Sequence, residues 1–129
     1  MEEDELIRLA LEARENAHAP YSGFKVGAAI LAKSGKVYTG SNVENISHGL
    51  ALCAERSAVA AAVSAGERDF DTIVISSISS PPASPCGACR QVLREFSADM
   101  NVIMVNDRGE RRIATLAGLL PQPFGGKDA

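Results

Sequence analysis

The sequence predicts an α/β fold: a three-layer α/β/α domain around a mixed sheet. Apolar residues recur at helical spacing in some segments, β-branched runs stand between them, and Gly- or Pro-bearing breaks divide the two kinds. The resulting order is α-β-β-α-β-α-β-α. A strand, a helix and another apolar strand in succession imply a crossover and parallel pairing, whereas two strands split by a short turn must be antiparallel. A sheet that holds both is mixed.

Taken in order, residues 2–18 place Leu6, Leu9, Ala10, Ala13 and Ala17 on one face of a helix. Acidic residues fill its first turn, where the helix dipole favours them. "HAPYSG" ends the pattern through Pro20 and Gly23. "FKVGAAILA" and "KVYTGSNVE", split by "KSG", read as a β-hairpin. The alanine-rich "GLALCAERSAVAAAVSAG" reads as a helix of about four turns that stops at Gly66. "FDTIVISSIS" has the β-branched content of a buried strand. Ser84 and Pro85 suit the cap and first position of a helix through "CGACRQVLREFSA". "NVIMVND" reads as the next strand, closed by Gly109, and "ATLAGLLP" as a short helix. Only the tail "FGGKDA" reads as loose.

Residues 1–129 are expected to form one domain. With 46% apolar residues the core needs no disulfide staple, which leaves the three cysteines free for chemistry. The 13 basic and 16 acidic residues leave a net charge of −3, with no basic stripe. That argues against a nucleic-acid partner, because such binders neutralise phosphates with Lys and Arg. A small, weakly charged ligand fits better. The start "MEEDELIRLA" is unlike a secretory signal, and the longest apolar run, "VGAAILA", is too short for a bilayer. The expectation is a cytoplasmic protein without membrane contact, whose thiols stay reduced.

Cys86 and Cys89 stand at i and i+3, on one face of a helix whose N-terminus favours thiolates. Alone, the pair fits a thioredoxin-type redox site, half of a zinc finger or part of a catalytic metal site. Cys53, in "LCAERSA", reads by itself as a small buried hydrophobe. Glu55 shifts the balance. In mid-helix, residues 53 and 55 would face about 200° apart, so they converge only if Cys53 sits where the helix begins. On that condition three thiolates hold zinc, a fourth position stays open and a carboxylate stands beside it, as in a catalytic zinc site. Three thiolates also leave the ion with excess negative charge. Arg56, near Cys53, and Arg90, beside Cys89, are placed to draw that charge away through hydrogen bonds to sulfur. A solvated helix face is the alternative for each.

"CAERSA" and "PCGACR" resemble the zinc-dependent cytidine deaminases, whose three-cysteine variant is an established motif class. "APYSGFKVGAAI", "TGSNVENIS" and "LLPQPFG" extend the resemblance over residues 19–125, to the small homotetrameric cytidine deaminases that act on free nucleosides. The resemblance implies a cytidine deaminase-like fold with about five strands in the sheet. It implies one zinc ion per chain held by Cys53, Cys86 and Cys89, with Glu55 as proton shuttle. It assigns Asn42 and Glu44 to the ribose hydroxyls and Phe24 to packing beside the ligand. Phe124 becomes an aromatic supplied over the base by a neighbouring subunit. The implied reaction converts cytidine and deoxycytidine to uridine and deoxyuridine plus ammonia, in pyrimidine salvage.

The residue chemistry is compatible. Asn42 and Glu44, two apart at a strand end, would point to one face and could hold a sugar diol, although "SNVEN" equally suits a turn. At position 48, where the family often has Tyr or Phe near a subunit contact, this chain has His48.

Three rival readings have their own signatures. A deaminase of another amino-heterocycle, such as blasticidin S or a nucleotide, would keep the zinc residues; "NVEN" and phosphate-poor loops favour a free nucleoside. A thiol-disulfide oxidoreductase using "CGAC" would leave Cys53 and Glu55 idle. A non-catalytic zinc module would need a fourth protein ligand, and no convincing one stands near either motif.

Overall fold

The computed structural model describes residues 1–127. Helix α1 (Glu3–Arg14) precedes β1 (Gly27–Ala32), β2 (Val37–Ser41) and a 3-10 turn (His48–Leu50). Then come α2 (Ala54–Ser64), β3 (Phe70–Ser76), α3 (Gly87–Phe96), β4 (Asn101–Val105), β5 (Arg111–Thr115) and the short α4 (Leu116–Leu119). One five-stranded sheet has the order β2-β1-β3-β4-β5. β1 pairs antiparallel with both β2 and β3, β3 pairs parallel with β4, and β5 turns back antiparallel on β4. This is the mixed α/β/α architecture the sequence predicts.

Strand alternation sorts the core into two halves. Ala28, Ile30, Ile73, Ile75, Val102 and Met104 form one cluster with Ala54, Ala58 and Ala62 of α2 and Leu93 of α3. Ala29, Val74, Ile103 and Val105 face the other way, onto Leu6 and Ala10 of α1. Side chains alternate with a period of two along a strand, so one register serves both helical layers. Each fully buried Leu or Ile contributes about 1.5–3 kcal/mol.

A glycine sets how closely α2 approaches. A Cβ built on Gly40 in β2 would overlap the Ala58 nitrogen and lie 2.7 Å from the Ala54 oxygen, both on the α2 backbone. Gly40→Ala is therefore expected to destabilise by about 2–3 kcal/mol, as overpacking against rigid backbone does. Gly49→Ala, whose added carbon meets nothing within 4 Å, should stay within about 0.5 kcal/mol of the parent. Urea unfolding of the two variants checks the contrast, and equal midpoints would refute it.

Several local expectations change. Helix α1 stops at Arg14, so Ala17 lies beyond it, and the helix expected over "ATLAGLLP" starts only at Leu116 because Ala114 and Thr115 belong to β5. The alanine-rich helix begins at Ala54, not at residue 49, because residues 48–50 turn separately and Leu52 bridges to Val43. Helix α3 is capped by Cys86 rather than Ser84. The segment "RRIAT" is a strand with no apolar alternation to announce it: Arg111, Arg112 and Ile113 are all exposed. It forms because the Asn106 side-chain oxygen accepts from Arg108 N at 3.0 Å and Glu110 N at 3.1 Å, turning the chain back onto β4. The tail expected to be loose is instead laid along α3, where Lys127 N donates to Arg94 O at 3.2 Å and Arg94 Nη1 donates to Lys127 O. Residues 128 and 129 of that stretch lie outside the described residues.

Candidate active site

Gly27 of β1 pairs with both Ser41 and Ser76, the last residues of β2 and β3, so these strands end level. The chain leaving each one runs on to the start of a helix. Cys53 is the cap residue of α2, in extended backbone at φ −73° and ψ 154°, and Cys86 is the cap residue of α3. The condition for Cys53 and Glu55 to converge is thus met. Both helix N-termini bring partial positive charge to the sulfurs.

The sulfurs of Cys53, Cys86 and Cys89 lie within 4.8 Å of one another, with Cys86 and Cys89 3.4 Å apart. Zinc–sulfur bonds of about 2.3 Å in a tetrahedron set sulfurs about 3.8 Å apart, so this donor set fits zinc. Among the described residues no fourth His, Cys, Asp or Glu donor joins the trio. Burial pushes the Cys89 thiol up. Burial also opposes ionisation of Cys86, but the Cys89 N–H donated to its sulfur and the neighbouring thiols bring it below its ordinary value.

Glu55 is buried in the first turn of α2, beside the trio without belonging to it. Burial raises its pKa; its own backbone N–H, the Cys89 side chain and the Arg56 charge pull the other way without overcoming it. Arg56 Nη2 donates to the Cys53 sulfur at 3.5 Å, and its Nε is buried with no partner among the described residues. Arg90 is neither on a sulfur nor on a solvated face. It donates from Nε to Pro85 O at 2.8 Å, from Nη1 to Leu119 O at 2.7 Å and from Nη2 to Ser84 Oγ at 3.3 Å. Phe24, Asn42, Cys53, Glu55, Ser84 and Cys86 are among the residues lining a cavity of about 250 Å³. A three-sulfur metal grip, a buried carboxyl and a cavity of small-molecule scale now stand together.

The family model for the cytidine and deoxycytidylate deaminase zinc-binding region matches residues 1–105, which include all three cysteines. The chain belongs to the cytidine and deoxycytidylate deaminase family. The cytidine deaminase of Halalkalibacterium halodurans is 46% identical over 129 residues, 99% of this chain and 98% of the relative. That of Mycobacterium tuberculosis is 42% identical over 116 residues, 90% of this chain and 84% of the relative. The crystal structure of a Burkholderia pseudomallei cytidine deaminase superposes with a TM-score of 0.93 at 46% identity, covering 96% of this chain and all of that one. The Mycobacterium tuberculosis crystal structure gives 0.83 at 38% identity, covering 97% and 98%. Membership makes this chain a hydrolytic deaminase and places its cysteine trio in the family's zinc-binding region. The "CGAC" pair is no free-standing dithiol, since the Cys53 sulfur completes the group.

In this deaminase the remaining expected residues are more scattered. β2 ends at Ser41, so Asn42 and Glu44 lie beyond the strand and its alternation does not govern them. The Asn42 oxygen accepts from Val26 N at 2.8 Å and its amide nitrogen donates to Phe24 O at 2.9 Å, stitching the approach to β1 onto the end of β2. Among the described residues, one N–H and one lone pair of that side chain have no partner. Glu44 accepts from Tyr21 N at 3.0 Å, from Ser22 N at 3.2 Å and from the Ser22 hydroxyl, which chiefly holds its carboxyl below the usual range. It lines a second cavity, of about 350 Å³, with Tyr21, Ser22, Asn45, His48 and Ala51. His48 is placed with its ring 6.5 Å from that of Tyr21. Phe124 is wholly exposed and lines neither cavity. Sequence reasoning missed the wall formed by Ala83 and Ser84, whose signal is the proline-rich "SPPASPC" feeding directly into a ligand.

Proposed function

We propose that this deaminase hydrolyses cytidine and deoxycytidine to uridine and deoxyuridine, releasing ammonia, as a zinc-dependent cytoplasmic enzyme of pyrimidine salvage. The observation that carries the reading is the trio of converged sulfurs with a buried carboxyl, Glu55, at the wall of a small cavity. A free nucleoside is favoured over a nucleotide because no Lys or Arg lines either cavity and Glu44 would repel a phosphate. The close relatives compared above also carry the name cytidine deaminase.

Cys53, Cys86 and Cys89 would hold one zinc ion as thiolates; bound there, it would supply a Lewis acid and make the hydrolytic water a much stronger acid. Glu55 accepts a proton from the attacking water and hands it to ring N3, which makes C4 electrophilic. The C4–O bond forms; Glu55 then takes the proton from the new C4 hydroxyl and delivers it to the exocyclic amine as the C4–N bond breaks, leaving the C4 carbonyl and ammonia. A carboxyl whose pKa is raised by burial suits both halves of this shuttle. Arg56, donating to the Cys53 sulfur, draws negative charge from the thiolate cluster.

Asn42 and Glu44 hold the ribose hydroxyls with the hydrogen-bonding capacity they retain, and Phe24 packs beside the ligand. Phe124 reaches over the base of a neighbouring subunit in a homotetramer. Its full exposure in a single chain, with Ile46 at 82% and Leu50 at 71%, supports burial between subunits.

Ultraviolet absorbance tests the reading. Cytidine and deoxycytidine should be consumed, activity should vanish with a zinc chelator and return with added zinc. Cytidine monophosphate and blasticidin S should turn over far more slowly. Undiminished activity in metal-stripped protein, or no loss of cytidine, refutes it.

A further inference from the structure

We propose that Gln91 is a positioning residue that fixes the orientation of Phe124; this rests on the reading of Phe124 as the aromatic that covers a neighbour's substrate. Gln91 lies two residues after Cys89 on α3. Its Oε1 accepts the Phe124 N–H at 3.0 Å, and its Nε2 donates to the Gly125 oxygen at 3.1 Å. A primary amide offers an acceptor and a donor in one plane, as a peptide group does, so it clips the chain at two points. Arg90 holds the same segment further back through Leu119 O, and Arg94 holds it further on through Lys127. Gly126, at φ +133°, lies so close to the Arg94 carbonyl that an added Cβ would collide with it.

The clip has a distinctive feature. A phenylalanine is ordinarily fixed by burying its own ring. Here the ring is wholly in solvent while the backbone on either side of it is bound to α3. The segment is therefore held through the main chain, with the aromatic presented outward. Because α3 also carries Cys86 at its cap and Cys89 in its first turn, one helix anchors metal ligands and aims the aromatic. Presetting that orientation reduces the ordering left to be done on binding.

A double-mutant cycle tests this, with hydrogen exchange of residues 119–127 as a second readout. Phe124→Ala should raise KM for cytidine by about tenfold, the scale of aromatic–base stacking. Gln91→Ala should raise it by about fivefold with kcat little changed, as loss of orienting hydrogen bonds predicts. Gln91→Glu, which keeps the shape but loses the donor to Gly125, should give a smaller rise. In the Phe124→Ala background the Gln91→Ala effect on KM should disappear, which a general loss of stability would not produce. Where Phe124→Ala raises KM, an unchanged KM in Gln91→Ala, or the same fold-rise in both backgrounds, overturns the proposal. If Phe124→Ala itself leaves KM unchanged, the substrate role of Phe124 fails. Exchange then decides the clip separately: faster exchange in Gln91→Ala upholds it, and unchanged exchange removes it.

Discussion

Replacing Glu55 by Gln is expected to lower kcat by about 10³-fold while fold and metal content stay intact, the scale of a lost general acid–base group. The amide matches the carboxyl in size, so the packing of the first turn of α2 is unchanged. Glu55 is 6% exposed and its pKa is raised first of all by burial, so the substitution also removes a carboxylate that is costly to keep charged there. Thermal stability should therefore be equal to the parent's or slightly higher. That combination, stable and inactive, separates a chemical role from a structural one. A variant retaining more than about 5% of the parent's kcat would show that some other group moves the protons.

Cys86→Ala is expected to abolish both metal binding and turnover, with activity down by at least about 10³-fold because the reaction loses its Lewis acid. The sulfur has a second duty. As the cap of α3 it accepts the Cys89 N–H at 3.4 Å, and losing a cap costs about 1 kcal/mol. Cys86→Ser supplies the control, since a hydroxyl caps a helix but is a poor partner for zinc. In metal-free protein the Ser variant should unfold at a higher urea concentration than the Ala variant. In metal analysis both should be near zero, and zinc held by either would remove Cys86 from the ligand set.

The site was unevenly legible, and the reasons are local. The pair Cys86 and Cys89 could be read because helical spacing fixes which side chains share a face. Cys53 and Glu55 carried an explicit condition, that the helix begin between them, and alanine-rich sequence does not mark its own start. What sets it is a tertiary pairing, the bridge of Leu52 to Val43, which holds the chain extended until residue 53. Strand alternation would put Asn42 and Glu44 on one face, but β2 stops at Ser41, and each is fixed by backbone groups distant in sequence.

β5 was not legible at all. Its exposed Arg and Ile follow no period, and it exists because the Asn106 turn lays it on the open edge of β4. Yet it braces the loop that ends in Cys86. Arg112 Nη1 donates to Pro82 O at 3.2 Å, and Glu110, in the turn just before β5, accepts from the Ser80 hydroxyl at 2.6 Å.

By itself, the sequence determined the layered α/β/α class, the mixed sheet and the identity of the residues able to bind metal and move protons. Those follow from periodicity and from side-chain chemistry, which are properties of short stretches. Only the tertiary structure decided that three sulfurs from two helix starts meet, that Arg56 rather than Arg90 faces them, and that the C-terminal segment lies along α3. Each of these depends on two strands ending level in one sheet and on which backbone groups are left to be paired, and chain closure over tens of residues sets both.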